Sequence, residues 1–582
     1  MRLLRFLRIT RRFVRKSPGP LKKRRWTWNT DKKGVRSMKQ YPLNPVDFYE
    51  DFLSFLRGIE KYEDKPAITT YTSEKEAVTR SYRQLTEDVY ALAAAMREKG
   101  WQGWHVALAG ENSYQWVVAF FASAVLNCPV VLVDIEQSVE TIAQMLETAD
   151  SQVAFASVSV AELFAQEADM PKLPLVASGG EYGISFTSLL EEGRCLLKEH
   201  DHFFDTLPAE ENLAVIAFTS GTTSASKPVM LSRKGVLHNA SNSVAMVATG
   251  ERLFASLPFY HTYGLTCSVL GPLIVGTHLC INGSLKTMIR DLRLFQPNTM
   301  MTVPLIVEMV HRRLAAASQE RGLEEELNHK ARRRFLRREP EASVSEKLEN
   351  LKNEIFPKMQ IIISGGAHLL PEISLELKRF GIQTLQGYGI TECSPLISVN
   401  RNQMNQPESV GVVVPGVELR FQDGEILVRG ENVMLGYYKD EEMTREAMGD
   451  GWFRTGDLGY LDKRGFLYIT GRKKNLIVLK NGKKVSPEEI ESRIARLPLV
   501  KEVMAYGATT GQSADDVKIA VTVYPDPKEA GRMTSYEILN ILQKEIESIN
   551  GHYPSYKQIQ LVNLRENEFS KTSSQKIKRR EL

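Results

Sequence analysis

Cysteine is scarce in this sequence, and its distribution excludes two kinds of structural site. The 582-residue chain holds five cysteines, an odd number that is widely scattered and forms no C-x-x-C pair. No H-x-x-x-H pair occurs either. We therefore expect neither a disulfide framework nor a structural zinc site, and we expect a reducing, cytoplasmic compartment.

Long apolar runs are almost absent as well. Ser113 to Val133 is uncharged over 21 residues, about the length that crosses a bilayer. Asn127 to Pro129 interrupts this stretch, which favours a buried helix ending near Leu126 and then a buried strand that Asp134 ends. The sequence therefore predicts a globular element here and not a membrane span.

Acidic residues are nearly missing from the first 40 positions. These positions carry 15 Lys/Arg and one acid, a net charge of +14, so the other 542 residues carry −9 within a total of +5. Wound as an α-helix, residues 1–16 separate basic from apolar side chains. The basic side is Arg5, Arg8, Arg11, Arg12 and Arg15, and the apolar side is Leu3, Phe6, Leu7, Phe13 and Val14.

Four interpretations of this basic tail stay open: contact with an anionic membrane, an organelle transit peptide, a nucleic-acid contact and a solvated tail without a partner. A secretory signal is not expected, because arginines interrupt every apolar run. We favour peripheral contact of residues 1–36 with the inner face of a membrane, and we expect no nucleic-acid partner.

Alternating strand-like and helix-like segments predict an α/β fold over the first 470 residues. The strand-like segments include LAVIAF (213–218), RLFASL, THLCI, MQIIIS and IQTLQ. A charged insert between Ala315 and Pro357 predicts a pair of solvent-facing helices. After Val410 the segments become short strands and turns, and we place a domain boundary near Gly471.

Beyond that boundary two local signals indicate a small α+β domain. Asn481-Gly482 predicts a hairpin. Ser486, Pro487 and Glu489 have the spacing of a capping box at the start of a helix.

Ala217 to Ser232, AFTSGTTSASKPVMLS, joins a predicted strand to a helix that starts near Ser232. Small hydroxyl residues, a glycine and Lys227 are typical of a turn whose N–H groups bind an anion, although a plain polar turn explains them too. The stretch lacks the G-x-x-x-x-G-K-[ST] spacing of the nucleotide-binding P-loop, so it does not predict a P-loop ATPase or GTPase.

Six further motifs follow this one in order. They are LPFYHTYG (257–264), ISGGAHL (363–369), QGYGITE (386–392), WFRTGDLGYLD (452–462), GRKKNLIVLKNGKKVSPEEIE (471–491) and KTSSQKIKR (571–579). The series resembles the adenylate-forming superfamily, which includes acyl-CoA synthetases, firefly luciferases and the adenylation domains of peptide synthetases. The resemblance extends from about Tyr49 to the C-terminus. The insert and MTVPLIVEMV are most similar to the long-chain fatty acid CoA ligases.

The resemblance implies an α/β fold with a large multi-subdomain adenylate-forming domain, residues 41–471, after a tail of residues 1–40. A small α+β lid domain, residues 472–582, would follow. The implied activity activates a carboxylic acid, most simply a fatty acid, with ATP and Mg²⁺ as an acyl-adenylate and then transfers it to CoA. Two alternatives stay open: an acyl-AMP ligase that loads an acyl carrier protein, and a non-catalytic, membrane-recruited binding protein.

The resemblance also implies nucleotide contacts. Thr219, Ser220, Gly221, Thr222, Thr223 and Lys227 would hold the β- and γ-phosphates of ATP, and Gly365, Gly366, Ala367 and Tyr388 would frame the adenine. Asp457 would accept hydrogen bonds from the ribose hydroxyls, assisted by Arg472. Thr391 would contact the α-phosphate and Glu392 would hold Mg²⁺.

Catalysis and domain motion are assigned in the same way. Lys576 would bridge the carboxylate and the α-phosphate during adenylation, and His261 is a further catalytic candidate. Lys474 stands where the family places its hinge. The chain departs from the family pattern at Ser224, Ser226 and Pro228 around Lys227, and at Gln575, where a glycine is usual. No charged group is lost, so we expect activity to persist.

Overall fold

A computed structural model describes residues 42–73, 76–167, 169–179, 182–199, 212–219, 226–282, 284, 286–327, 344–480, 482–509, 517–571, 577 and 579. The predictions for the basic tail fall outside these residues. So do those for Ser220 to Thr223, Ser224, Gln575 and Lys576, and for the middle of the charged insert.

Two large sheets with parallel centres confirm the α/β prediction. Among the described residues, one sheet has eight strands in the order Gly436–Tyr437, Pro228–Ser232, Leu213–Phe218, Val130–Leu132, Val106–Ala109, Val153–Ala156, Leu175–Ala177 and Ile184–Ser185. The other has nine described strands in the order Val412–Val413, Leu396–Val399, Gln383–Gly389, Ile361–Ser364, Thr299–Thr302, Arg252–Ala255, His278–Ile281, Pro66–Tyr71 and Ala77–Ser81. Antiparallel pairs occur toward the edges of both.

Helices cover the faces of these sheets, as parallel strands require. In the larger part of the chain they are Phe52–Ile59, Tyr82–Glu98, Tyr114–Val125, Val139–Thr148, Val158–Gln166, Phe186–Glu199, Arg233–Met246, Gly271–Ile274, Met288–Phe295, Pro304–Glu320, Glu346–Ile355, Pro371–Arg379 and Glu441–Ala447. A π-helical turn spans Tyr263–Leu270, and short 3₁₀ turns span Glu60–Tyr62 and Thr391–Cys393. The apolar faces meet in a continuous core of aliphatic and aromatic side chains.

The uncharged stretch after Ser113 folds as the sequence predicts. Ser113 caps the buried helix Tyr114–Val125 by accepting a hydrogen bond from the N–H of Trp116, and the buried strand Val130–Leu132 follows. Within the described ranges, no helix combines the length and apolar character that crossing a bilayer requires.

A smaller antiparallel sheet leads into the C-terminal part of the chain. Its described strands are Val417–Gln422, Glu425–Gly430, Trp452–Leu461 and Met448–Gly449, and Leu467–Arg472 pairs with Trp452–Leu461. The 3₁₀ turn Lys473–Asn475 follows. The predicted domain boundary near Gly471 therefore falls inside the last strand, next to a turn that links it to the C-terminal elements.

Residues after Asn475 form their own hydrophobic core. A three-stranded sheet of Val500–Thr509, Val517–Pro525 and Leu561–Leu564 is covered by Pro487–Ile494 and Ser535–Asn550. The shorter elements are Pro527–Ala530, Ser555–Lys557 and the hairpin strands Ile477–Val478 and Lys484–Val485. Gly482 has φ = 74° in that hairpin, a conformation that glycine adopts without steric cost. The predicted hairpin is confirmed.

One local prediction was wrong, and another was confirmed only in part. The capping box does not form: Ser486 donates to Glu488 Oε2 at 2.7 Å, and Glu489 accepts from Lys557 Nζ at 2.5 Å, so both side chains have other partners. The insert helix Glu346–Ile355 is not solvent-facing throughout, because Leu348 and Leu351 form an apolar stripe that packs into a second core.

Candidate active site

Every predicted site residue that the structure describes lines one cavity of about 1770 Å³. These residues are Thr219, Lys227, His261, Gly365, Gly366, Ala367, Tyr388, Thr391, Glu392, Asp457, Arg472 and Lys474. They come from motifs spread over some 250 positions, yet the fold brings them to a common wall. Ser220, Gly221, Thr222, Thr223 and Lys576 lie outside the described residues.

The phosphate-loop candidate is the connection of a two-stranded hairpin. Leu213–Phe218 and Pro228–Ser232 pair antiparallel, with Phe218 opposite Pro228. The Thr219 N–H donates to the Lys227 carbonyl at 3.1 Å, and the Lys227 N–H donates to Thr219 Oγ1 at 3.3 Å. These two bonds fix both ends of the loop at the cavity wall.

The adenine candidates follow neighbouring parallel strands. Ile361–Ser364 pairs with Gln383–Gly389, so Gly365 and Tyr388 reach the same edge of the sheet. A Cβ atom at Gly365 would stand 3.0 Å from Tyr263 Cε1, closer than most carbon contacts. Only glycine therefore leaves the Tyr263 ring in place and allows the backbone to be approached closely.

Asp457 is held by both neighbouring candidates. It is 3% exposed, and its two oxygens accept different donors: Oδ2 from the Tyr388 hydroxyl at 2.7 Å and Oδ1 from Arg472 Nε at 2.7 Å. Asp457 and Arg472 lie directly opposite each other on adjacent strands. This orients a carboxylate, a good acceptor for paired hydroxyl groups, toward the cavity.

Glu392, Tyr437 and Lys227 form a second polar cluster. The Tyr437 hydroxyl donates to Glu392 Oε1 at 3.1 Å, and Lys227 Nζ lies 5.1 Å from the centre of the Tyr437 ring. Burial raises the pKa of Glu392 above its ordinary value, although hydrogen bonds to the carboxylate and the charge of Lys227 oppose that effect.

His261 and Thr391 border the cavity at other points. The His261 ring packs edge-on against Tyr260, with centroids 4.8 Å apart, and the backbone N–H of His261 donates to the Pro258 carbonyl at 3.2 Å. Thr391 begins the 3₁₀ turn Thr391–Cys393, directly beside Glu392. The catalytic role of His261 stays a prediction.

The C-terminal part closes another side of the cavity. Lys474 lies in the turn Lys473–Asn475, where Lys473 Nζ bonds Glu425 Oε2 at 2.8 Å and Asn475 bonds Glu488 Oε1 at 2.6 Å. These bonds connect the turn to the larger part on one side and to the C-terminal part on the other.

The segment that carries Lys576 is anchored at its two described ends. Lys571 forms an isolated antiparallel bridge with Ile577, and its Nζ lies 2.5 Å from Glu502. Arg579 Nη2 lies 2.6 Å from Glu491 and its Nη1 donates to the Ala505 carbonyl. Lys571, Ile577 and Arg579 all line the cavity, so these anchors lie at its wall.

Sequence reasoning missed three residues that organise the site: Tyr437, Glu425 and Tyr263. Glu425 is 4% exposed and faces Lys473, Arg454 and the Gly456 N–H. None of the three stands next to a predicted charged group in the sequence. Tyr263 does lie within the motif LPFYHTYG, two residues after His261, so for that residue the motif was a local signal.

The cavity wall carries carboxylate groups, which are the type of ligand that a hard cation such as Mg²⁺ prefers when it binds together with a substrate. Among the residues that the structure describes, no group of three or more His, Cys, Asp or Glu is arranged to hold a metal ion. A single carboxylate is nevertheless a common protein contribution for Mg²⁺, which takes substrate phosphates and waters as its other ligands. Glu392 meets that requirement.

Comparisons with known proteins identify the family of the chain. Residues 55–438 match the family model described as AMP-binding enzyme, and residues 474–582 match its C-terminal domain model. The chain is 27% identical to the long-chain-fatty-acid–CoA ligase of Escherichia coli O157:H7, over 93% of this chain and 95% of the relative. It is 28% identical to the long-chain-fatty-acid–CoA ligase FadD15 of Mycobacterium bovis, over 70% and 71%.

Solved structures share the fold. The anthranilate CoA ligase AuaEII in complex with anthranoyl-AMP aligns with a TM-score of 0.72 at 19% identity, over 92% of this chain and 96% of that one. The o-succinylbenzoate CoA synthetase of Bacillus subtilis in complex with ATP and magnesium aligns with a TM-score of 0.67 at 20% identity, over 91% and 98%.

Proposed function

The chain belongs to the AMP-binding enzyme family, and on that premise we propose that it is an ATP-dependent, AMP-forming ligase that joins a fatty acid to CoA. One observation carries the proposal: all described candidate residues line a single cavity. Within it, buried Asp457 is held by Tyr388 and Arg472, and Glu392 and Lys227 flank Tyr437.

The reaction has two steps. A carboxylate oxygen of the acid attacks the α-phosphorus of ATP, and the bond to the β,γ-diphosphate breaks, giving acyl-adenylate and pyrophosphate. The CoA thiol loses its proton to solvent and attacks the acyl carbon, and AMP leaves with the electron pair of the broken acyl–phosphate anhydride bond. Neither step needs a protein nucleophile, so the protein contributes positioning and charge stabilisation.

The cavity residues supply that positioning. Asp457 accepts hydrogen bonds from the ribose hydroxyls. The Thr219 hydroxyl donates to a phosphate oxygen, and the Lys227 ammonium group adds its N–H donors and positive charge. Gly365, Gly366 and Ala367 frame the base beside Tyr388. Glu392 would hold Mg²⁺, which neutralises charge on the phosphates when bound.

The first step needs a cation near the reacting carboxylate and α-phosphate, and we assign it to Lys576. Thr391 donates to the α-phosphate beside it. Since Lys576 follows the turn that contains Lys474, a change of backbone angles there would move the lysine between the steps.

An aliphatic acid is favoured by the apolar residues that line the same cavity. They include Val247, Cys267, Met301, Ile363, Leu396 and Val399. Two of the relatives are named as CoA ligases of long-chain fatty acids, which also favours an aliphatic acid as substrate. Burial of each methylene of an acyl chain against such side chains contributes about 0.8 kcal/mol.

An acid-panel assay tests the proposal. Acids of increasing chain length are incubated with ATP and Mg²⁺, and AMP release is measured with CoA, with an acyl carrier protein, and with neither acceptor. We expect AMP release that requires both a fatty acid and CoA. Thioester formed only on the carrier protein would replace this proposal with the carrier-loading alternative, and no pyrophosphate exchange with any acid would favour a non-catalytic protein.

We also propose that residues 1–36 bind anionic membrane on the cytoplasmic side. The support is the net positive charge and the separation of basic from apolar side chains in the sequence. Removal of residues 1–36 should abolish salt-sensitive binding to phosphatidylserine vesicles and leave turnover of soluble short acids nearly unchanged. Equal vesicle binding by the truncated protein would contradict it.

A further inference from the structure

Tyr437 is a buried tyrosine placed where the phosphate hairpin meets Glu392. Its side chain is largely inside the molecule, with 5% exposure of the residue. The strand Gly436–Tyr437 pairs antiparallel with Pro228–Ser232, which puts Tyr437 opposite Val229. Backbone bonds on both sides fix this register: the Leu435 N–H donates to Met230 and the Tyr438 N–H donates to Pro228, each at 2.8 Å.

This pairing sets the distance between Tyr437 and Lys227, which lies two residues before Val229. A third backbone contact adds to it, because the Tyr437 N–H donates to Thr444 Oγ1 at 2.9 Å. The backbone of Tyr437 is thus held from two directions. The ring has little freedom to move relative to the hairpin.

The side chain touches two groups of opposite charge. Its hydroxyl donates to Glu392 Oε1 at 3.1 Å, and its ring face receives Lys227 Nζ at 5.1 Å from the centroid. That separation lies within the range of a cation–π attraction. One ring therefore binds a carboxylate at its tip and an ammonium group at its face.

Glu392 and Lys227 can serve a metal and a phosphate only if they do not pair with each other. Opposite charges attract more strongly at a buried site than in bulk water, and a direct ion pair would engage the atoms that the ligands need. The tyrosine gives each group a weaker partner. Its hydroxyl engages one carboxylate oxygen, and its ring face engages one side of the ammonium. Neither of these contacts is a direct pair of opposite charges.

We propose that Tyr437 is a positioning residue that orients Glu392 toward Mg²⁺ and Lys227 toward the phosphates of ATP, and so keeps the two charged groups separate. The inference rests on the proposed function for the roles of Glu392 and Lys227. It adds a cavity-lining residue whose role would be exercised through two others, Glu392 and Lys227.

The test separates the two contacts. Affinity of the full-length protein for ATP is measured by calorimetry in Mg²⁺ and in EDTA, and the ratio of the two affinities gives the gain from the metal. Tyr437→Phe removes the hydroxyl and keeps the ring, so we expect the metal-dependent gain to fall about 10-fold, as for other residues that orient a metal ligand. Affinity in EDTA should stay at the wild-type value.

Tyr437→Leu removes the ring as well. We expect the same loss of the metal-dependent gain and, in addition, about 2- to 5-fold weaker binding of ATP in EDTA, because Lys227 loses its cation–π partner. Tyr438→Phe is the matched control. Tyr438 is the next residue after Tyr437, and this change removes a hydroxyl that donates to Asp150 Oδ2 at 2.8 Å. Tyr438 is not one of the described residues that line the cavity.

A wild-type or larger metal-dependent gain in Tyr437→Phe would overturn the proposal, and so would an equal loss in Tyr438→Phe. Thermal unfolding identifies a variant that has not folded; if Tyr437→Leu fails, the near-isosteric Phe variant decides. Pyrophosphate exchange by the wild type is measured in parallel. Its absence would contradict the ligase function, while the ATP affinities would still decide the role of Tyr437.

Discussion

The two parts of the chain that enclose the cavity hold their polar groups in different ways. In the larger part, Asp457 is buried and bonded at both oxygens, and Glu392 and Lys227 are fixed around a buried tyrosine. In the C-terminal part, the charged groups facing the cavity lie on a separately packed unit with its own hydrophobic core.

Contacts between the two parts include exposed ion pairs. Arg496 Nη1 lies 3.3 Å from Glu372 Oε1, and their side chains are 37% and 41% exposed. Such pairs contribute about 0–1 kcal/mol each. The candidate nucleotide contacts of the larger part are therefore bonded to one another in advance, whereas contacts of the C-terminal part with it range from the bond between buried Glu425 and Lys473 to the exposed Arg496–Glu372 pair. Four experiments test this difference between the two parts.

The largest expected effect is that of Lys576→Ala. We expect pyrophosphate exchange to fall about 100- to 1000-fold, because the charge on the reacting phosphate loses its cation, while supplied acyl-adenylate is still converted to acyl-CoA. Asp457→Asn, in the preformed wall, should instead impair both half-reactions, since both use the bound nucleotide. Equal loss of both half-reactions in Lys576→Ala would remove the distinction between the two parts.

Lys474→Pro tests whether the turn Lys473–Asn475 must change conformation. Proline fixes φ near −65°, so we expect one domain orientation to be trapped, with adenylation retained and the thiol step slowed by about 10- to 100-fold. Lys474→Ala removes the charge but leaves φ free, and should retain both steps. Comparable losses in the two variants would attribute the effect to the charge.

His278 gives the larger part a pH-dependent stability. Its pKa is lowered to about 4 by burial and by the nearby charges of Arg252 and Lys65. The folded state thus favours the neutral ring, so its contribution is complete above the unfolded value near 6.5 and is lost as pH falls from there toward 4. We expect the unfolding midpoint to drop by a few degrees across that window.

His278→Gln checks the source of this dependence. Glutamine keeps a polar group near Thr69 Oγ1, which bonds His278 Nε2 at 2.8 Å, but it does not titrate, so the midpoint should depend less on pH. His552→Gln, an exposed position in the C-terminal part, is the control. An unchanged pH dependence in His278→Gln would show that other groups cause the acid sensitivity.

The smallest effect is expected for the pair between the parts. Arg496→Ala should change the ratio of the two half-reaction rates by less than about 5-fold, and high salt should remove the difference. A double-mutant cycle with Glu372→Ala measures the coupling free energy. A coupling well above about 1 kcal/mol would mean that the C-terminal part is held more firmly than its exposed contacts indicate.

The sequence predicted the strands, the uncharged helix after Ser113 and the hairpin at Gly482, because local apolar pattern and turn residues decide them. Ordered motifs also predicted which residues would meet at the cavity. Convergence of Thr219 with Asp457 could be inferred from resemblance alone, since nothing local specifies contacts across more than 200 positions.

Tyr437 and the helix start at Ser486 show where local reasoning ends. Tyr437 acquires its role from pairing with a strand some 200 residues earlier, which no nearby residue encodes. At Ser486 the local pattern was present, but Glu489 formed an ion pair with Lys557, almost 70 positions away. A charged partner brought close by the fold can outcompete a cap worth about 1 kcal/mol.

The bonds between Thr219 and Lys227 have a consequence for how this chain can vary. Since the strands on either side hold the ends together, the entropy of loop closure is set by the framework, and added length would raise that cost only logarithmically. Ser224 and Ser226 lie between these two bonded residues and need not position the ends, whereas Pro228 belongs to the strand and pairs with Phe218. The residues between Thr219 and Lys227 can therefore change without moving Lys227. Selection for phosphate binding would act on the paired strands more than on the sequence of the loop.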